Sequence, residues 1–262
     1  MTFSETYHVL AHSLYQVIAL VLAGAGAIVY GLNLNNVRDK IDRRVRFWAG
    51  VAVAAQGAAT VLVFVVVSEG PVRTTVLSNW AMLGVAGLVL PLGLAYSPDP
   101  PTLRRKKLPM LLVVPAGAVA AILVSHGLVL LFSLVTEVKP GRTLELLLES
   151  ERGLLALIPV ALLAALIEEV VFRLGLQGVL EAWCKRLGVS VWWAIAATSF
   201  VFALGHAGMI DPDGIKELQI FAASMVFGYL KAAYGLRVAI YAHLGLNTYS
   251  IAMEAIGRAA GG

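Results

Sequence analysis

Glu168-Glu169-Val170-Val171-Phe172-Arg173 interrupts an otherwise apolar run over residues 154–180, and its three charges decide how the chain is read. An ionisable side chain at the centre of a membrane helix costs about 3 kcal/mol or more, so it faces a protein interior or a wet cavity rather than lipid. Two further apolar runs carry polar interruptions of the same kind. Phe202-Ala203-Leu204-Gly205-His206 lies in the next run, and His243-Leu244-Gly245-Leu246-Asn247 in the last. Two carboxylates, two imidazoles, an amide and a guanidinium, spread over three runs, are the parts of a hydrolytic site inside a bilayer.

The composition supports the bilayer. Hydrophobic residues make up 59% of the 262 positions and charged residues 14%, with a mean hydropathy of +0.83. A soluble domain carries roughly a quarter charged residues. The chain therefore reads as an integral membrane protein, all-α, a single transmembrane domain over residues 1–262. Accessory helices occupy 1–150 and the motif-bearing helices 151–255. The net charge of +4 does not point to nucleic acid, because the excess Lys and Arg sit in short loops, where they set orientation. The single cysteine, Cys184, excludes an intrachain disulfide and reads as a bystander thiol. The first apolar run has no basic residue before it, so it does not read as a secretory signal.

A membrane span needs about 20 apolar residues. Eight are expected, at 9–34, 47–67, 77–95, 110–134, 154–180, 191–209, 218–234 and 238–253. Basic residues crowd alternate loops: five between Arg38 and Arg46, four over Arg104-Arg105-Lys106-Lys107, then Lys185 and Arg186, and Lys231 and Arg237. By the positive-inside rule these loops are cytoplasmic and both termini lie on the far side. Trp192 and Trp193 then fall at a cytoplasmic interface, where aromatic belts belong.

On an α-helix Glu169 and Arg173 are i,i+4 neighbours that can pair, while Glu168 points about 100° away. One carboxylate is thus held by the guanidinium and the other is left to titrate. Carboxyl groups taken out of water hold their protons more readily, which suits general acid or base work near neutrality. A buried Glu–Arg pair that only locks two helices is the competing explanation for Glu169 and Arg173. His206 shares a helix face with Phe202, and His243 with Asn247, each at i,i+4. His126 in the fourth run reads instead as a helix–helix contact. Residue 187, midway between Glu168 and His206, lies in Lys185-Arg186-Leu187-Gly188, so a hairpin turning there brings both side chains to one depth. His243 follows Arg237 by only six residues and is expected to sit shallower.

Zinc competes, since two His and a Glu are a familiar ligand set; Glu168, His206 and His243 would supply it. No His-Glu-x-x-His helix is present, and a water activated directly by Glu168 needs no metal. The metal-free reading is the favoured one and the zinc reading stays open.

Glu-Glu-x-x-x-Arg, Phe-x-x-x-His and His-x-x-x-Asn on successive apolar runs resemble the motifs of the CPBP family, the CAAX proteases and bacteriocin-processing enzymes related to the type II CAAX prenyl endopeptidase. The resemblance covers roughly residues 154–252. It implies a membrane protease that hydrolyses a peptide bond inside the bilayer. Glu168 and His206 would activate the water and His243 and Asn247 would form the oxyanion site. Glu169, Arg173 and Phe202 would support them. Where a Gly commonly follows the motif Arg, this chain has Leu174 before Gly175.

Two other functions fit less of the pattern. A non-catalytic relative, serving bacteriocin immunity or regulatory binding, has no need of Glu168, His206 and Asn247 together. A proton-coupled transporter would show Gly- or Pro-broken spans in two matching halves, whereas here the polar residues cluster in one third. The expected partners are the lipid bilayer and a protein or peptide with a membrane-associated tail: a prenylated terminus, a bacteriocin leader or a C-terminal sorting anchor. The Ala-, Gly-, Val- and Arg-rich usage suits a bacterial inner membrane.

Overall fold

The computed structural model describes Leu103 and residues 108–140, 153–207, 210–212 and 214–261. The apolar runs expected at 9–34, 47–67 and 77–95, and the basic loops at 38–46 and 104–107, lie outside the described residues. What is described is helical: α1 (Met110–Ser133), α2 (Gly153–Glu168), a π-helical segment (Glu169–Gln177), α3 (Gly178–Leu187), α4 (Val191–Leu204), α5 (Ile215–Tyr234) and α6 (Leu236–Gly261). A two-residue antiparallel bridge, Lys139 opposite Asp211 and Pro140 opposite Ile210, joins the stretch after α1 to the stretch after α4.

Among the described residues α1 is the one helix long and apolar enough to cross a membrane. Its 24 residues reach about 36 Å at 1.5 Å per residue, against a hydrocarbon core of about 30 Å. Leu111, Leu112, Leu123, Leu130 and Leu131 stay exposed on it. The opposite stripe, Val113, Gly117, Ala121 and Ser125, is buried. Small side chains at a spacing of four let neighbouring helices come close. Val113 and Ala121 share one apolar cluster with Ala223, Phe227 and Leu230 of α5 and with Ala239, Ala242 and Leu246 of α6.

The expected fifth run is one continuous helical rod, but not one α-helix. Residues 169–177 turn with π geometry, in which each N–H reaches back five residues and the turn is wider. The rod ends where the hairpin was expected. Gly188 closes α3 in the left-handed region at φ 67°, and the Ser190 hydroxyl caps α4 by accepting from the Trp192 N–H. Trp192 stacks on Tyr229, with ring centroids 5.9 Å apart.

The sixth run is shorter than expected. α4 stops at Leu204 rather than at 209, so His206 lies past the helix end. The next three residues close tight turns, with the N–H groups of Gly205, His206 and Ala207 bonded to the carbonyls of Phe202, Ala203 and Leu204. Gly205 is a poor helix former at that point, and three-residue turns commonly finish a helix. The seventh run starts earlier, at Ile215, where Glu217 reaches back to accept from the Gly214 N–H at 3.1 Å. α5 and α6 are separated by Gly235 alone. Its φ of 97° is a conformation that a residue with a β-carbon rarely adopts.

Candidate active site

Glu168 ends α2 and Glu169 begins the π segment. They flank a single ring. Glu169 Oε1 lies 3.0 Å from His243 Nδ1, and Glu168 Oε2 lies 3.7 Å from His243 Nε2. The two carboxylates address opposite nitrogens of the one imidazole on α6, and the helix changes from α to π between them. His243 was expected to sit shallower, and it nevertheless reaches both. It is buried, with 5% of its surface exposed.

His206 enters from the turn after α4. Its Nε2 is 4.0 Å from Glu168 Oε1, and its Nδ1 donates to the Phe202 carbonyl at 3.0 Å. A carbonyl can only accept, so that bond places the proton on Nδ1 and leaves the Nε2 lone pair toward Glu168. The separations of 3.7 and 4.0 Å exceed a direct hydrogen bond and match groups that share a water.

Asn247 sits one turn beyond His243 on α6. Its Nδ2 donates to the Ala161 carbonyl of α2 at 2.8 Å. One amide N–H thus ties the two helices together, and the amide has a second N–H to offer.

Arg173 is fully buried beside Glu169, which is 1% exposed. Its Nε stands 3.4 Å from Glu169 Oε2, its Nη2 donates to Ser224 Oγ of α5, and its guanidinium carbon lies 5.6 Å from the centre of the Phe202 ring. Phe202 is the hub of the site. Its ring contacts Phe172 edge-on at 5.0 Å, His206 at 4.8 Å and His243 edge-on at 6.2 Å. Leu174, at the position where a Gly is common, packs beside Val170, Leu236 and Ile240 on the face turned toward α6.

The structure thus brings together six of the residues singled out in the sequence, Glu168, Glu169, Arg173, Phe202, His206 and His243, while Asn247 is bonded to the Ala161 carbonyl. It adds others. Phe227 stacks on His243 with centroids 4.6 Å apart and planes 16° from parallel; an apolar residue in an apolar helix carries no signal of that contact. Ser224 was equally silent. Gln177 and Glu181 continue the spacing of four begun by Glu169 and Arg173, which was legible but unused. His126 stays apart, meeting Tyr249 edge-on at 5.0 Å. A cavity of about 550 Å³ between α1 and α5, bordered by Leu112, Ala116, Trp192, Met225 and Tyr229, contains none of the seven residues.

For zinc, the donor set has to converge on one point about 2.0–2.2 Å from each ligand. Among the described residues no group of three or more His, Cys, Asp or Glu is placed to hold a metal ion. Glu168 is the centre of the charge cluster, with one imidazole reaching it from α6 and the other from the turn after α4.

Residues 150–249 match the family model described as type II CAAX prenyl endopeptidase Rce1-like. Over this stretch the chain is similar to the CPBP/CAAX protease family. The matched segment holds the three motifs and every side chain of the cluster just described. No curated protein and no solved structure matches the chain. That family is membrane-embedded and is generally one of proteases.

Proposed function

We propose that the chain is a multi-pass intramembrane endopeptidase. It hydrolyses a peptide bond near the C-terminus or membrane anchor of a protein or peptide substrate. Glu168 takes a proton from the attacking water, and His206 shares that proton through Nε2 and returns it to the leaving amine. The hydroxide adds to the substrate carbonyl, whose oxygen becomes negative. The Asn247 amide and the His243 ring stabilise that oxygen. Because His243 Nδ1 faces Glu169, the ring meets the oxyanion with Nε2–H in its imidazolium form, with Glu169 as the orienting carboxylate. No step is routed through a metal.

The observation that carries the reading is the position of Glu168. It lies 4.0 Å from one imidazole, in the turn after α4, and 3.7 Å from another, on α6, with its own neighbour Glu169 held by Arg173. A carboxylate that only locked helices would be paired directly. The functional test is proteomics of membrane-protein tails in cells carrying the wild-type chain or Glu168→Ala. A defined set of uncleaved C-terminal or anchor segments is expected in the variant. Identical termini in the two strains would sink the protease reading.

The metal question has its own check. Purified protein is expected to carry far less than stoichiometric zinc and to keep its activity in a chelator. About one firmly held zinc per chain, lost in His206→Ala, would replace this mechanism with a zinc-activated water.

A further inference from the structure

The charged stripe that begins in the active site does not end there. Glu169, Arg173, Gln177 and Glu181 follow one another at a spacing of four along the rod, and none is more than 1% exposed. A matching row stands on α5, which runs parallel to it. Arg173 donates to Ser224, Gln177 Nε2 donates to the Gly228 carbonyl at 2.9 Å, and Lys231 Nζ donates to Glu181 Oε2 at 2.7 Å. Gln177 Nε2 also donates to Glu181 Oε1 at 2.7 Å, joining the last two rungs.

Peptide hydrolysis at Glu168 has no direct use for Gln177, Glu181 or Lys231. Nor is a buried Glu–Lys pair a strong stabiliser in itself, since apolar replacements of such pairs are often neutral or better. What links the far rungs to the site is the packing at Gly228. A β-carbon there would stand 2.7 Å from Ile195 Cγ2, 3.1 Å from Gln177 Oε1 and 3.6 Å from Arg173 Nη1. Gln177 Oε1 and Arg173 Nη1 are both buried without a hydrogen-bond partner among the described residues. An unpartnered acceptor and an unpartnered donor therefore converge on the same bare patch of α5. Arg173 in turn is the group that holds Glu169, and its guanidinium lies against Phe202, whose ring touches both histidines.

We propose that Gln177, braced by the buried Glu181–Lys231 pair, is a positioning residue for the protease site. It limits the rotation of the Arg173 guanidinium and thereby fixes Glu169, Phe202 and the orientation of His243. The inference rests on the protease reading for its effect on turnover, but its structural half can be read without turnover.

The test is Gln177→Met, which keeps the side-chain length and leaves both ion pairs in place. The variant should purify as wild type, with kcat lowered by about tenfold or more and KM unchanged, because substrate contacts are untouched. In ¹⁵N-arginine spectra of the purified protein, the restricted Nη signals of one buried guanidinium should be resolved in the wild type and averaged in Gln177→Met. The pair Glu181→Gln with Lys231→Met removes the brace without leaving a lone buried charge, and it should loosen the same signals. Wild-type kcat together with unchanged guanidinium signals in both Gln177→Met and the paired variant would overturn the proposal. Should the wild-type chain cleave nothing while the guanidinium still loosens in Gln177→Met, the protease reading fails and the positioning role stands.

Discussion

Replacing Glu168 by Gln is expected to abolish proteolysis without harming the fold. The carboxylate is partly accessible, at 14% of its side-chain surface, and its neighbours stand 3.7 and 4.0 Å away rather than in direct hydrogen-bond contact. An isosteric amide fits the same space and leaves no charge unpaired, but it cannot accept the proton of the attacking water. General-base catalysis contributes roughly 10²–10⁴-fold, so kcat in a single-turnover cleavage assay should fall by at least that range. His206→Ala should behave alike, because the same proton passes through Nε2. Asn247→Ala belongs to a different class. Loss of one oxyanion donor costs about 10²–10³-fold, and the remaining activity should be measurable. That variant also loses the bond from α6 to the Ala161 carbonyl, so its thermal stability should drop where that of Glu168→Gln does not. Full activity in Glu168→Gln would end this mechanism, whatever the other variants do.

How much of this was legible before any coordinates depended on the kind of signal each residue leaves. Charges in an apolar chain are loud, because burying them is expensive; Glu168, Glu169, Arg173, His206, His243 and Asn247 therefore stood out at once. The hairpin at Gly188 was equally readable, since a basic cluster followed by Gly and Ser is both a helix end and a helix start. The π segment was not. Whether an apolar stretch winds with four or five residues between bonded groups depends on packing against its neighbours, and residues 169–177 look helical either way. The end of α4 at Leu204 was missed for a related reason: hydropathy continues past Gly205 although the helix does not. Phe227 and Ser224 contribute contacts through tertiary placement alone. Gln177, Glu181 and Lys231 are an intermediate case, because their spacing was visible and only the facing row on α5 gives it meaning.

The largest expected loss of stability lies next to Glu168, at the Glu169–Arg173 pair. Both side chains are inaccessible, and each is the other's neutralising charge: Arg173 Nε faces Glu169 Oε2 at 3.4 Å. Removing one member of such a pair strands the other in a low-dielectric interior, at a cost of about 3–5 kcal/mol. Arg173→Met is the harsher single change, since it also breaks the bond to Ser224 and the contact with Phe202. It leaves Glu169 with only His243 as a partner, at 3.0 Å. Glu169→Gln keeps an acceptor for His243 Nδ1 but leaves the guanidinium charge uncompensated. Both single variants should give little folded protein in detergent and a lowered unfolding temperature. The double variant Glu169→Gln/Arg173→Met carries no stranded charge, and it should regain much of the folded yield. Activity should not return with it, because the orienting carboxylate behind His243 has gone and Phe202 has lost its guanidinium neighbour. A double variant that folds but stays inactive separates the two jobs of this pair. If instead both singles fold and cleave like the wild type, neither charge carries structural or catalytic weight, and the orientation of His243 must come from Phe227 and the packing of α6.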